Sequence, residues 1–262
     1  MNKTIKVTLI VGAVLVGIGL IVFLIGGIAS SWNFGSTNWE SKVYESESDA
    51  EITDIDLDFS AGTLEVQFYD GDVVKVEYGE SEQITTECKV VNKTLNITSI
   101  VHWHVQFLWF NKIPETKVYI PKNMQLGLKL NVEAGVIRIK EGSFTNVDIK
   151  MDAGTLTIDN VKCHNFVVNM DAGTMKLSKV ESDKFSARLD AGTLNVTRLQ
   201  CDDIDLELSA GTVKIGVVGN KSDYTIKTDV SAGSCNVKNQ SGTTSKILKV
   251  GVSAGTAKIT FD

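Results

Sequence analysis

The carboxylates that could hold a metal ion recur at a fixed spacing in the middle of the chain. Asp152, Asp171 and Asp190 follow one another at a constant interval, and Glu133 lies one such interval before Asp152. If the chain repeats its path at this interval, the carboxylates stack about 5 Å apart, and clustered oxygens are the ligands that Ca²⁺ prefers. Four other copies of the repeat have serine at this place: Ser60, Ser209, Ser231 and Ser253. Because Asp and Ser both cap turns but differ as Ca²⁺ ligands, the pattern favours turn capping over a metal site.

An aromatic segment, residues 101–110 (VHWHVQFLWF), is the second candidate site. As a strand it places Trp103 and Trp109 on one face and His104 on the other, because side chains alternate along a strand. One interpretation is a capping strand whose tryptophans cover the end of the core. The other is an exposed surface that binds a cell-wall glycan, an envelope protein or the lipid interface. The residues of that surface are Trp103, His104, Trp109 and Phe110.

The remaining reactive side chains show no catalytic arrangement. His102 and His104 can chelate zinc, but only His164 remains elsewhere, and zinc takes three or four ligands. Cys163 and Cys201 are two repeats apart, so their Cα atoms are expected about 9.6 Å from each other, beyond the roughly 7 Å limit for a disulfide. We expect free, buried thiols, no disulfide and no cofactor.

The elements that must position these residues form an internal repeat centred on an Ala-Gly pair. From Ala134 onward the pairs follow at steps of 19, 19, 19, 19, 22 and 22 residues. With the Ala numbered zero, positions −6, −2, +3 and +5 are apolar in every copy. The alanines are Ala61, Ala134, Ala153, Ala172, Ala191, Ala210, Ala232 and Ala254.

The phase of the apolar positions indicates strands. Positions −6, −4, −2 and 0 alternate with period two, so we expect all four to point inward. The inward set then changes parity at the Gly, which marks a corner because Gly reaches positive φ without steric cost. The sequence therefore predicts an all-β fold, a parallel β-solenoid (β-helix) with rungs of about 19 residues in residues 51–262. Residues 70–123 are expected to be its irregular N-terminal part and residues 124–262 its regular rungs.

The segment 1–30 is predicted to be a cytoplasmic stub and one transmembrane helix. From Val7 to Ile28 there is no charged residue, and about 20 apolar residues cross a bilayer as a helix. Lys3 and Lys6 precede this run and no Lys or Arg follows it before Lys42, so we expect the C-terminal domain outside the cell. A cleaved signal peptide is the alternative, but the run is longer than a signal h-region. Residues 31–50 are then a tether.

Charge and the C-terminus bear on the partners. The net charge of −6 argues against a nucleic-acid partner, which needs a basic face. The last predicted strand, residues 256–261, ends immediately before Asp262. We therefore expect an uncovered final rung whose unpaired edge permits end-to-end self-association or docking of a partner strand.

The chain resembles the bacterial “putative adhesin” domain family. The resemblance is carried by the lysine-flanked N-terminal helix, by residues 118–122 (VYIPK) before the first regular rung, and by the Ala-Gly-Thr corners. It implies a β-solenoid of the Gram-positive envelope without a catalytic signature, linked to envelope-stress responses.

The sequence features above are relevant to three possible functions. The favoured one is a non-enzymatic, membrane-anchored adhesin, scaffold or envelope-stress accessory that works through its faces or its open end. A self-assembling filament scaffold is the alternative. A polysaccharide-active enzyme is disfavoured, because the consecutive short periods after Ala134 leave no long loops to build a groove with catalytic carboxylates.

Overall fold

The computed structural model describes residues 39–48, 50–82, 84–102 and 114–262. These residues form strands and one short 3₁₀-helix, Lys221–Asp223, which confirms the all-β prediction. None of their helices is long and apolar enough to span a membrane. The predicted anchor from Val7 to Ile28 lies outside the described residues, as do Trp103, His104, Trp109 and Phe110. The strands are β1 Glu40–Glu45, β2 Asp54–Tyr69, β3 Lys75–Glu80, β4 Ile84–Val91, β5 Thr94–Val101, β6 Thr116–Pro121, β7 Gly127–Ile139, β8 Gly142–Ser143, β9 Asn146–Val217, β10 Tyr224–Cys235 and β11 Lys246–Phe261.

Equivalent residues of successive repeats pair in parallel, and they form an open sheet. Ala134 of β7 is the Cα partner of Ala61 in β2 and of Ala153 in β9. The apolar positions on either side keep the same register, for example Ile137 opposite Leu156. Each repeat therefore buries its apolar side chains only by stacking on its neighbours, as the repeat period predicts.

Each rung within β9 has three sides. The buried positions are −6, −4 and −2, then +3 and +5, then +8 and +10. The third side is extended and contributes apolar residues at +8, namely Val161, Val180 and Leu199. Because the chain bends three times in every rung, each side is only a few residues long.

The corner lies one residue earlier than predicted. The alanine at position 0 was expected to point inward, but from Ala153 onward these alanines are exposed. The residue before each alanine is skipped in the pairing, as with Glu133 and Asp152 between the paired Val132–Met151 and Ala134–Ala153. The skipped residue and the alanine both face outward, so the inward alternation stops at position −2 and starts again at +3.

Glycine is required at the corner for two reasons, as Gly173 shows. Its φ is +143°, a conformation that other residues rarely adopt. A Cβ there would also collide with the carbonyl oxygen of Gly154 in the preceding rung. The glycine therefore permits both the bend and the close stacking of successive corners.

The order of the rungs in the stack differs from their order in the chain. β11 pairs in parallel with the last rung of β9, and β10 pairs with the other edge of β11. Ala254 accordingly lies between Ala210 and Ala232. The expectation that the C-terminal strand is the uncovered last rung is wrong, because β11 is inserted between two rungs and β10 ends the stack.

The opposite end is built differently. β5 and β6 pair in parallel with the two halves of β2 and so form one further rung. Antiparallel strands then follow: β4 pairs with β5, β3 with β6, and β1 with β3. β1 occupies residues 40–45 of the segment predicted as a tether, because its alternating side chains pair along β3.

Candidate functional site

In the described part of the chain no three His, Cys, Asp or Glu side chains converge on one point, Asp152, Asp171 and Asp190 included. Asp152 and Asp171 are exposed. Asp190 accepts a hydrogen bond from Ser209 Oγ of the next rung (3.1 Å) and lies 3.6 Å from Arg188 Nε. The contact with Ser209 joins side chains of adjacent rungs, whereas turn capping would use a backbone N–H.

A cleft of about 200 Å³ lies over the third side of the rungs, where Cys163, Ser182 and Cys201 stack. All four cysteines of the chain are free, as predicted. Burial raises the pKa of Cys163 to about 12 and also raises the pKa of Cys201. Both are therefore neutral thiols near pH 7 and poor nucleophiles. The exposed His164 bonds Asp183 through Nδ1 (2.8 Å) on the outer face, whereas the thiols are buried.

A groove of about 390 Å³ crosses the first side near the N-terminal end. Its lining includes Asp58, Glu133, Asp152 and the 47% exposed Ile100. Asp58 is occupied, because it accepts a hydrogen bond from the Asn131 amide at 2.8 Å. The groove combines carboxylates with Lys150 and with apolar side chains, among them Ile100 and Val132, and this mixture does not indicate one class of ligand.

The exposed edge of β10 is the most distinctive surface of the described chain. Residues 229–234 are all exposed, whereas position −2 within the equivalent segment is buried in every other rung. The apolar residues at positions −6, −2, +3 and +5 are all buried except Val230 and Cys235. Both belong to β10. Val230 is 37% exposed, whereas its neighbour Val252 is 3% exposed, so the second half of β10 lacks a covering rung.

The first half of β10 is covered by the loop that leads to β11. Ile226 exchanges both backbone hydrogen bonds with Gln240 (2.9 and 3.1 Å). Gln240 also donates from its side chain to the Tyr224 and Lys221 carbonyl oxygens (3.2 and 2.7 Å). Residues 236–245 therefore protect residues 224–228, and the covering stops where the exposed residues begin.

Asn236 protects the edge of β11 just beyond β10. Its side-chain amide donates to the Ile259 carbonyl oxygen and accepts from the Ile259 N–H, both at 2.7 Å. The side chain thus replaces a strand partner at that point. Among the residues that the structure describes, the edge left without a partner at this end is the second half of β10.

The end rung was missed at the level of sequence, although one signal marks it. Position −4 is apolar and buried in the other seven rungs, for example in Leu206 and Val250. In β10 it is Thr228, whose N–H and hydroxyl both bond the Asn239 side chain. A polar residue at an inward position indicates a rung that has solvent or a loop beside it, and not another rung.

Stacked parallel rungs with glycine corners define a repeat β-protein. Residues 52–260 match the family described as Toastrack DUF4097. The chain therefore belongs to the Toastrack DUF4097 family, and the resemblance to the “putative adhesin” proteins is confirmed at the level of the family. No curated protein matches the chain.

Solved structures are similar in fold at low sequence identity. One is a “putative cell adhesion protein” from Clostridium sporogenes, 14% identical, with a TM-score of 0.41 over 86% of this chain and 100% of that one. Another is a “putative lipid binding protein” from Parabacteroides distasonis, 16% identical, TM-score 0.46, over 87% and 99%. A “putative adhesin” from the same organism is 11% identical, TM-score 0.34, over 86% and 98%.

Proposed function

We propose that the chain is a non-enzymatic protein of the cell envelope. The segment from Val7 to Ile28 anchors it in the membrane with the N-terminus in the cytoplasm, and residues 51–262 form a parallel β-solenoid outside the cell. There it acts as an adhesin, a scaffold or an envelope-stress accessory through its faces or its open end, and its partner is a cell-wall glycan or an envelope protein. The observation that carries the proposal is the uncovered edge at residues 229–234 of β10.

The edge has the properties of a docking strand. It is extended, and it carries the same Ala-Gly corner as the rungs that pair in parallel along the stack. An unpaired strand edge bonds an incoming strand through its main chain, while side-chain pockets select the sequence. Val230 presents the apolar group that another rung would cover. Cys163 and Cys201 are buried neutral thiols, and the exposed Asp190 and His164 bond side chains of the next rung, which favours binding over catalysis.

Filament formation is the second candidate, and the same edge favours it. If a second copy supplied the missing rung, the stack would continue from one molecule to the next. The edge strand β1 at the other end carries Glu40, Lys42 and Glu45, and charged side chains discourage edge pairing. A head-to-tail filament would need both ends, so the charged β1 edge favours a single docking end.

The experiment compares two valines at opposite ends of the stack. Val230→Lys places a charge on the edge of β10, and Val43→Lys makes the same change at a 53% exposed valine of β1. The full chain in a mild non-ionic detergent is sedimented over a range of concentrations and screened against cell-wall glycans and envelope proteins. We expect binding that Val230→Lys abolishes and Val43→Lys preserves. Binding unaffected by Val230→Lys would remove the edge from the proposal, and self-association lost in Val230→Lys would favour the filament.

Membrane placement has its own test. Ser241→Cys in the exposed loop after β10 should react with a membrane-impermeant thiol reagent in intact cells. Lys3→Cys should react only after the cells are permeabilised. The reverse pattern would overturn the proposed orientation.

A further inference from the structure

The second side of four adjacent rungs is positively charged on a protein of net charge −6. The segments that follow the corners of these rungs are residues 173–179, 192–198, 211–217 and 255–261. Together they contain five exposed cations and no carboxylate. We call these cations the basic strip: Lys176, Lys179, Arg198, Lys214 and Lys258.

The cations of the basic strip differ from most others on the stack in having no counter-ion. Several lysines on the other sides pair with carboxylates of the neighbouring rung. Lys129 bonds Asp56 (2.7 Å), Lys162 bonds Glu181 (2.6 Å) and Lys249 bonds Asp205 (3.5 Å). Within the described residues, no ion pair involves a member of the basic strip. The described stack therefore pairs many of its charges across rungs but leaves the five cations of the basic strip without an ion pair.

Like charges are also placed side by side. Lys214 and Lys258 are direct Cα partners on adjacent parallel strands. Lys179 and Arg198 occupy equivalent positions of successive rungs, the relation in which Lys162 meets Glu181. Like charges opposite each other destabilise a sheet. An anion that lies along the strip would remove this repulsion and gain an attraction.

The insertion of β11 creates the arrangement. In chain order, the rung after Lys214 would present Asn236 at the equivalent position, because position +4 of β10 is Asn236. The structure instead places Lys258 beside Lys214. The charge density of the strip thus comes from the same rearrangement that leaves the β10 edge open.

The strip favours a linear ligand over a membrane surface. Its charges run along the stack at multiples of the rung spacing of about 4.8 Å, beside exposed hydroxyls of Ser178, Thr197 and Thr260. Among the described residues, the large apolar side chains that are exposed, at Val43, Val91, Ile100 and Val230, all lie elsewhere. Interfacial binding to lipid needs an apolar face. The aromatic ring of Phe261 packs 5.6 Å from the ring of Tyr224 and is half-buried, so among the described residues of the strip no exposed ring is offered for base stacking.

We propose that the basic strip binds a linear phosphate polymer, a chain of phosphates joined by diester or anhydride links. Each phosphate accepts hydrogen bonds from a lysine, the arginine or a hydroxyl, and its charge screens one like-charged pair. The basic strip and the open edge of β10 share no residue. A loss of binding at one surface can therefore be distinguished from a loss of binding at the other.

The test uses the full chain in phosphatidylcholine nanodiscs and long-chain polyphosphate as the ligand. The variant Lys214→Gln/Lys258→Gln removes one like-charged pair. The control Lys150→Gln/Lys184→Gln makes the same change of charge at two exposed lysines of the first side that have no ion pair in the described residues. We expect polyphosphate to bind with an affinity that falls as salt rises from about 50 to about 200 mM. The strip variant should bind at least about tenfold more weakly, and the control less than about threefold.

Two further measurements distinguish a loss of polyphosphate binding from misfolding and from attachment to lipid. Without polyphosphate, the strip variant should unfold at the same temperature as the wild type or higher, because a repulsion is gone. Equal losses in both double variants would overturn the proposal. The proposal would also be overturned if polyphosphate did not bind. The same holds if the protein bound protein-free vesicles containing phosphatidylglycerol and polyphosphate did not displace it.

Discussion

The two ends of the rung stack are closed in different ways. At the N-terminal end, β5 and β6 form a rung beneath β2, and the antiparallel strands β4, β3 and β1 continue the sheet beyond it. At the other end, β10 stacks in parallel on β11, and only its first half is covered by its own loop. A parallel rung always presents a new edge like the one it covers, so a stack ends only when the chain changes direction. At the N-terminal end antiparallel strands continue the sheet, whereas at the C-terminal end an antiparallel contact covers only the first half of β10.

The largest effect that distinguishes an interior rung from the end rung is expected at position −2. Val252→Lys buries a charge between two rungs and should lower the free energy of unfolding by about 4 kcal/mol. Val230→Lys makes the same change in β10, where the side chain is 37% exposed, and should cost less than about 1 kcal/mol. Urea unfolding of the full chain in mild detergent measures both. Equal losses, or a larger loss at Val230, would mean that β11 is not inserted.

The next effect concerns the glycines of the corners. Gly219, in the loop after β9, shares their positive φ but not their close contact with a neighbouring rung. Gly173→Ala combines a φ of +143° with a collision against Gly154, and we expect a loss of about 3 kcal/mol. Gly219 has a φ of +125° but nothing within 4 Å of an added Cβ. Gly219→Ala should therefore cost only about 1 kcal/mol. Similar unfolding midpoints for the two variants would contradict the role given to close stacking.

The dependence of stability on alkaline pH allows a comparison of the interior of the stack, at Cys163, with its N-terminal end, at Cys88. Burial raises the pKa of Cys163 and of Cys88 in β4 to about 12. Above about pH 9 the unfolded chain loses these protons and the folded chain keeps them, so stability is complete below that pH and falls as pH rises toward 12. For Cys163 the loss is on the order of 1 kcal/mol per pH unit. Cys163→Ala should flatten this fall, and Cys88→Ala should flatten it less because Cys88 is only half-buried. Parallel curves for wild type and Cys163→Ala between about pH 9 and about pH 11 would contradict this.

The smallest effect concerns an ion pair between adjacent rungs, and it tests the order of the rungs. Lys249 lies 3.5 Å from Asp205 because β11 is next to β9. If the rungs followed chain order, Lys227 of β10 would occupy that place. A double-mutant cycle of Lys249→Ala with Asp205→Ala should give a coupling of about 0.2–1 kcal/mol. The cycle of Lys227→Ala with Asp205→Ala should give none, and the opposite result would restore chain order.

The interior of the fold was predictable because its signal is repeated. The apolar positions and the glycine corners recur often enough to indicate parallel rungs, and the pairing of Ala134 with Ala153 confirms them. The exposure of Ala153 was not predictable, because a small apolar residue fits either face of a corner. The strand β4 was missed because it pairs outside the period.

The order of the last two rungs was not predictable from their apolar pattern, since β10 and β11 share it. Only Thr228 at an inward position distinguishes them. The basic strip was hidden for the same reason. Lys214 and Lys258 are separated in the chain by the whole of β10, and they become neighbours only through the insertion of β11.

The insertion of β11 also constrains the time course of folding. A chain that emerges from its N-terminus presents β10 before β11 exists, and at that moment the free edge of β9 is the surface that β10 matches best. The final arrangement requires that edge to be vacant when β11 arrives, so any early β9–β10 pairing must break before the native order forms. If β10 pairs with β9 first, the last stage of folding is a competition between two similar strands for one site. Its product can form only after β11 has been synthesised and is free to displace the strand that preceded it.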